Sequence, residues 1–273
     1  MPRPSVTLKR GIEAKIQPLK SSQEMWLRVL LYGASKTGKT TLWSTFPGKI
    51  LALICSGGNE PGELKSIGTE QLKKIDSINI ESSQDLIDVF AFLQKKNPYK
   101  TIVLDHVSGL QDLILKEILN LDEIPVVKTW GLARMQDYGE CTVKSKTLLR
   151  AFLNIQSNTV IIGQEREFES NADSELVTPT IGVALMPGLA GWVNSTVDYI
   201  AQTFKAPVYT TKTVEVAGQS VETNTKGKGV NYCLRVGPHE VFTTGFRIPK
   251  ERNKKLPEYI IDPTYKKIME LIN

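Results

Sequence analysis

Residues 28–43 read RVLLYGASKTGKTTLW, and this stretch decides the fold. An apolar run that ends on Gly33 is followed at once by glycines, lysines and threonines, a composition that a core cannot use. Residues 33–40 satisfy G-x-x-x-x-G-K-[ST] between a strand pattern and a helix pattern, the sequence signature of a phosphate-binding loop. Glycines at 33 and 38 let the backbone wrap around an anion so that successive amide N–H groups point inward, and the start of the helix adds to that field. The nucleotide-binding candidates are therefore Gly33, Ala34, Ser35, Lys36, Thr37, Gly38, Lys39, Thr40 and Thr41. Lys39 is expected to reach the β- and γ-phosphates and Thr40 to give its hydroxyl to Mg²⁺, which makes ATP and Mg²⁺ the expected cofactors.

Outward from the loop, residues 38–46 read as a helix that Pro47 stops, and 49–55 as a second buried strand. Residues 74–80 alternate as a strand. Residues 82–96 open with Ser82-x-x-Asp85, an N-cap signal, and put Leu86, Phe90 and Leu93 on one helical face. A third apolar strand spans 100–107, a helix follows to about 120, and a long helix over 136–155 leads into strands at 158–165 and 196–204. Strands apolar on both faces and alternating with helices call for an α/β fold, a mostly parallel sheet covered on each side. From residue 208 the texture changes to two antiparallel strands around AGQSVETNTKGKG (217–229), then a short helix near 263–272. The expected layout is a basic N-terminal segment (1–25), an ATPase core (26–206) and a β-hairpin and C-terminal helix extension (207–273).

A phosphate-binding loop needs a metal-side carboxylate. Asp105 ends the apolar run TIVLD (101–105) in the Walker B manner and is placed beside Mg²⁺ with Thr40. For activation of water the candidates are Glu60 and Glu63, in the loop after the second strand, on the expectation that this strand lies next to the loop-bearing one. Gln164, ending the fourth strand, is placed where its amide senses the γ-phosphate, since ligands sit at the carboxyl edge of open α/β sheets. The catalytic set expected from sequence is Lys39, Asp105, Glu60 and Gln164.

Composition sets the bounds. With 41% hydrophobic and 23% charged residues in 273, the chain has the balance of an ordinary globular protein. No apolar run approaches the length of a membrane span, so a cytoplasmic protein without a membrane partner is expected. Cys55, Cys141 and Cys233 lie far apart with only His106 and His239 as possible co-ligands, a pattern that suits reduced thiols rather than zinc or disulfides. Net charge is +5, with basic character gathered in residues 1–20 and 247–255.

The order of phosphate loop, Walker B aspartate, strand-ending Gln164 and β-rich tail resembles the RecA-like P-loop ATPases. More closely it resembles phage-encoded nucleotide-binding proteins related to Sak-type single-strand annealing ATPases. The stretches carrying the closer match are GKTTLWSTFPGKILAL, TIVLDHVSGL, WGLARMQDYGE, VIIGQERE, PGLAGWVNSTVDYI and FRIPKERNKKLPEYIIDPTY, between residue 28 and about residue 265. The resemblance implies ATP at subunit interfaces of a ring or filament, single-stranded DNA in loops near the oligomer axis, and work in recombination or repair. It implies trans-acting cations at Arg247, Lys250 and Arg252, and DNA contacts by Arg166 and Phe168 in the loop after Gln164. A second DNA candidate joins Lys128, Trp130 and Arg134. Expected partners are single-stranded DNA, further copies of the chain and a single-stranded DNA-binding protein. Relatives end the second strand with Asp-x-Glu, where this chain has Ser56 at the glutamate position, so either Glu60 takes over or hydrolysis is slow. The alternative function is a nucleotide-dependent oligomeric scaffold that serves a protein partner without DNA.

Overall fold

Val29 and Leu31 point to one side of strand β1 (Arg28–Gly33), Leu30 and Tyr32 to the other, and all four are fully buried. A strand apolar on both faces needs cover on both, and the chain supplies it. The computed structural model describes residues 26–55, 61–121, 133–168, 180–216, 219–248 and 256–273. The further strands of its main sheet are β2 (Ile50–Ile54), β3 (Ile75–Asn79), β4 (Thr101–Asp105), β5 (Asn158–Gly163), β8 (Tyr199–Val216), β9 (Gln219–Arg235), β10 (Gly245–Phe246) and β11 (Tyr259–Ile261). Strands β6 (Glu165–Phe168) and β7 (Thr180–Val183) form a separate antiparallel pair.

The order across the sheet is β11-β9-β8-β1-β5-β4-β2-β3, with β10 paired to β8. From β8 to β3 every neighbouring pair is parallel. Strands β9 and β11 join antiparallel at the other edge. This is a mostly parallel sheet flanked by helices, the α/β architecture of a P-loop NTPase. The strand after the phosphate loop is not the neighbour of the loop-bearing strand, contrary to the expectation behind Glu60 and Glu63. Strands β5 and β4 lie between β1 and β2. Consecutive strands are only usually adjacent, and here the two apolar strands that arrive later fill the gap.

Helices α3 (Ser83–Lys95), α4 (Val107–Ile118), α5 (Met135–Leu153) and α6 (Pro187–Thr196) supply the core on the face of Leu30 and Tyr32. The opposite face buries Leu42, Trp43 and Phe46 from α1 (Lys39–Trp43) and its following turn, together with Ile268 and Ile272 from α7 (Tyr265–Ile272). A four-residue helix α2 (Thr69–Leu72) lies between β2 and β3. Helix α3 starts where the sequence signal put it: Ser82 Oγ accepts from Asp85 N at 3.2 Å, and Asp85 Oδ2 accepts from Ser82 N at 2.8 Å.

The polar stretch 217–229 is mostly strand rather than connector. β8 and β9 pair in register from Gln202–Arg235 out to Val216–Gln219, with one shift between Pro207 and Tyr209. Backbone pairing in a two-stranded ribbon needs no apolar alternation, so the sequence carries no sign of it. Strand β8 runs through residue 207, continuing from the core sheet into the ribbon.

Candidate functional site

Two-residue alternation aims the site. Val103 packs on the α1 side of the sheet, so Asp105 faces α1, and Val160 and Ile162 set the same face for Gln164, which follows β5. Because β5 lies between β1 and β4, the phosphate loop, Gln164 and Asp105 come side by side at the sheet's carboxyl edge. They line one cleft of about 840 Å³, with Ser35 to Thr41 as its floor.

The loop is shaped by positions with few substitutes. Gly33 (φ 154°) has no room for a side chain, since a Cβ there would lie 2.3 Å from Thr203 O. Gly38 sits at φ 92° and Lys36 at φ 62°, so the chain turns through left-handed backbone on its way into α1. Thr37 Oγ1 donates to Ala34 O at 2.7 Å and lies 2.7 Å from Thr203 Oγ1 on β8, which joins the loop to the adjacent strand. Lys39 Nζ donates to Gly33 O and Ala34 O, both at 2.8 Å, so its ammonium already hangs over the loop. Helix α1 is shorter than the expected 38–46. Thr45 N bonds Leu42 O and Phe46 N bonds Trp43 O, a tightened last turn before Pro47.

Asp105 is 3% exposed and accepts from Trp43 Nε1 at 3.1 Å through Oδ2. The peptide between Asp105 and His106 is cis, and His106 Nδ1 accepts from Gly109 N at 2.9 Å, capping α4. Burial, and after it the Asp105 charge, push the Cys55 thiol up to about 12. All three cysteines are free and buried. Thr40 and Asp105 line the same cleft. A hydroxyl and a carboxylate suit Mg²⁺, which binds through few protein oxygens and completes its shell with water and phosphate.

Glu60, Ser56, Lys128, Trp130, Lys250 and Arg252 lie outside the described residues. Glu63 falls in a 3-10 turn, Pro61–Ser66. Arg166 and Phe168 stand on β6, the guanidinium 5.7 Å from the ring centroid, and Arg134 is exposed just before α5. Arg247 donates to Asp198 Oδ1 (3.1 Å) and Ser195 O (2.8 Å). Asp198 N in turn bonds Arg28 O at the start of β1, so Arg247 sits at the edge of the sheet opposite the cleft. Sequence reasoning missed Trp43, Thr203, His106, Tyr232 and Asp262–Thr264. Trp43 alone had a local signal, four residues after Lys39 on one helical face.

No helix among the described residues is long and apolar enough to cross a membrane. No curated protein sequence matches the chain significantly. A profile of the AAA domain matches residues 25–248, which takes in the phosphate loop, Asp105, Gln164 and most of the sheet. The chain belongs to the AAA domain family of P-loop ATPases.

Proposed function

We propose that the chain binds ATP·Mg²⁺ in this cleft, hydrolyses it slowly, and uses the bound state to assemble on single-stranded DNA as a Sak-type recombination ATPase. One observation carries the reading. Gln164, in the cleft wall, is followed directly by β6, so a residue that lines the cleft is continuous with the ribbon that bears Arg166 and Phe168. In this reading the loop amides and Lys39 hold the phosphates, Mg²⁺ neutralises their charge beside Thr40 and Asp105, and the Gln164 amide reads the terminal phosphate. Turnover is slow because Ser56 stands where relatives place the glutamate that polarises water. Arg166 pairs with the DNA backbone and Phe168 stacks on a base.

A second reading, an ATP-dependent scaffold without DNA, draws on Glu165 and Glu167, which put two carboxylates on the same short strand as Arg166. Fluorescence anisotropy of labelled oligo-dT separates the two. The DNA reading expects binding at low salt that requires an ATP analogue with Mg²⁺ and weakens steeply as salt rises. No binding under those conditions hands the function to the scaffold.

A further inference from the structure

Tyr232 stands on β9 opposite Lys205 of β8, two residues nearer the carboxyl edge than Thr203, which pairs with Gly33. It shares a face of β9 with Leu234, buried in the α1 side of the core, so its ring overhangs the phosphate loop. A Cβ at Gly38 would lie 3.2 Å from Tyr232 Cδ1. Lys205 Nζ sits over the ring, 5.5 Å from its centroid. The wall continues into the C-terminal segment: Asp262 N donates to Tyr232 O at 2.7 Å, and Tyr265 N donates to Thr45 Oγ1 at 2.8 Å. Tyr232, Asp262, Pro263 and Thr264 all line the cleft, yet Tyr232 remains 42% exposed.

The direction of a bound nucleotide follows from the order β9-β8-β1-β5-β4 along this edge. Asp105, at the end of β4, marks the metal and terminal-phosphate side. The loop after β1 takes the phosphates between. The nucleoside end must then extend the other way, over β8 and β9, where the half-open aromatic ring stands.

We propose that Tyr232 and Pro263 form a nucleobase subsite, in which the base of the nucleotide stacks on the Tyr232 ring. This rests on the nucleotide reading above and adds to it the group that recognises the base. Every nucleobase has a π-face, so the subsite raises affinity for nucleotides over inorganic polyphosphate.

The test is calorimetry of the full chain with ATP and with inorganic tripolyphosphate, each with Mg²⁺, for the wild type, Tyr232→Phe and Tyr232→Ala. Tyr232→Ala is expected to lose about fivefold or more in ATP affinity with tripolyphosphate affinity unchanged, and Tyr232→Phe to match the wild type for both. An equal loss for both ligands would make Tyr232 a packing group for Gly38 and overturn the subsite. So would an unchanged ATP affinity in Tyr232→Ala. A wild type that binds neither ligand would remove the nucleotide reading itself, a result distinct from both.

Discussion

The indole Nε1 of Trp43 donates to Asp105 Oδ2 at 3.1 Å, so the helix that carries Lys39 and Thr40 also grips the carboxylate at the far side of the cleft. Trp43 is fully buried and Asp105 nearly so. Trp43→Phe keeps most of the packing and deletes the donor. The lost bond to a charged acceptor is expected to cost about 1.5–3 kcal/mol of stability. The more specific outcome is a weaker Mg²⁺ dependence of nucleotide affinity, with Mg²⁺-free binding little altered. Nucleotide titrations across a range of Mg²⁺ concentrations check this, and equal losses with and without the metal would reduce Trp43 to a packing residue.

Lys39 Nζ donates to Gly33 O and Ala34 O. Both acceptors lie at the loop's own root, so a phosphate can displace them with a short swing of the ammonium. Lys39→Ala removes the bonds to Gly33 O and Ala34 O from a partly exposed group and should move the melting temperature little. Triphosphate affinity should fall about 10- to 100-fold, the value of a charge-assisted contact. Calorimetry beside thermal unfolding separates the two effects.

The loop was legible in sequence because its chemistry sits in eight consecutive residues, and Asp105 because it ends an unbroken apolar run. The fold class was legible for a related reason: every central strand is apolar on both faces, which only a covered parallel sheet explains. Thr203, Tyr232 and Asp262–Thr264 were not legible, since sheet register brings them to the loop from far along the chain. The placement of β2 was missed because strand order is set by later strands competing for a slot, which no local pattern records. The outer half of β9 was missed because residues 219–229, polar and bearing glycines, read as a connector.

Glycine positions give a paired test. At Gly109, in the first turn of α4, a Cβ would lie 1.9 Å from Cys55 O, a backbone atom that cannot move without shifting the end of β2. Gly109→Ala is expected to destabilise the chain by about 1–3 kcal/mol or more and to displace the Asp105 turn. At Gly139, within α5, nothing lies within 4 Å of the point where a Cβ would sit. Gly139→Ala should therefore stabilise by about 0.5–1 kcal/mol through helix propensity. Urea unfolding of both variants gives the two signs.

Cys55 carries a pH signature. Its thiol is raised to about 12 by burial and then by Asp105. The folded chain thus holds the proton that the unfolded chain gives up near the ordinary thiol value of 9.0. The stabilisation from this difference is fully present below that unfolded value and is lost as pH rises from there toward the folded one. Relative to Cys55→Ala, the wild type should lose stability on going from pH 8 to pH 11, and its thiols should react slowly with a disulfide reagent until it unfolds. A wild type that keeps pace with Cys55→Ala across this range would show that the Cys55 thiol ionises freely in the fold.

Arg235 makes the last case, because it is 8% exposed and held from every side. Its Nε donates to Gln202 Oε1 at 3.2 Å, its guanidinium pairs with Glu258, and the rings of Phe204 and Phe242 lie 4.7 and 4.5 Å from it. Gln202 Nε2 in turn donates to Glu165 Oε2 at 3.0 Å, so the network ends one residue from Gln164, on the opposite face of the sheet. Arg235→Ala strands the Gln202 carbonyl and empties the space between the rings, and is expected to cost about 2–4 kcal/mol. Arg235→Lys should recover little, since an ammonium can neither stack as a plane between two rings nor fork to Gln202 and Glu258 together. Glu258→Ala should cost less, because Glu258 is more than half exposed and the guanidinium keeps its other partners. Denaturant unfolding of the three variants ranks them, and a lysine that restored full stability would show that charge alone, rather than the planar fork, holds the network.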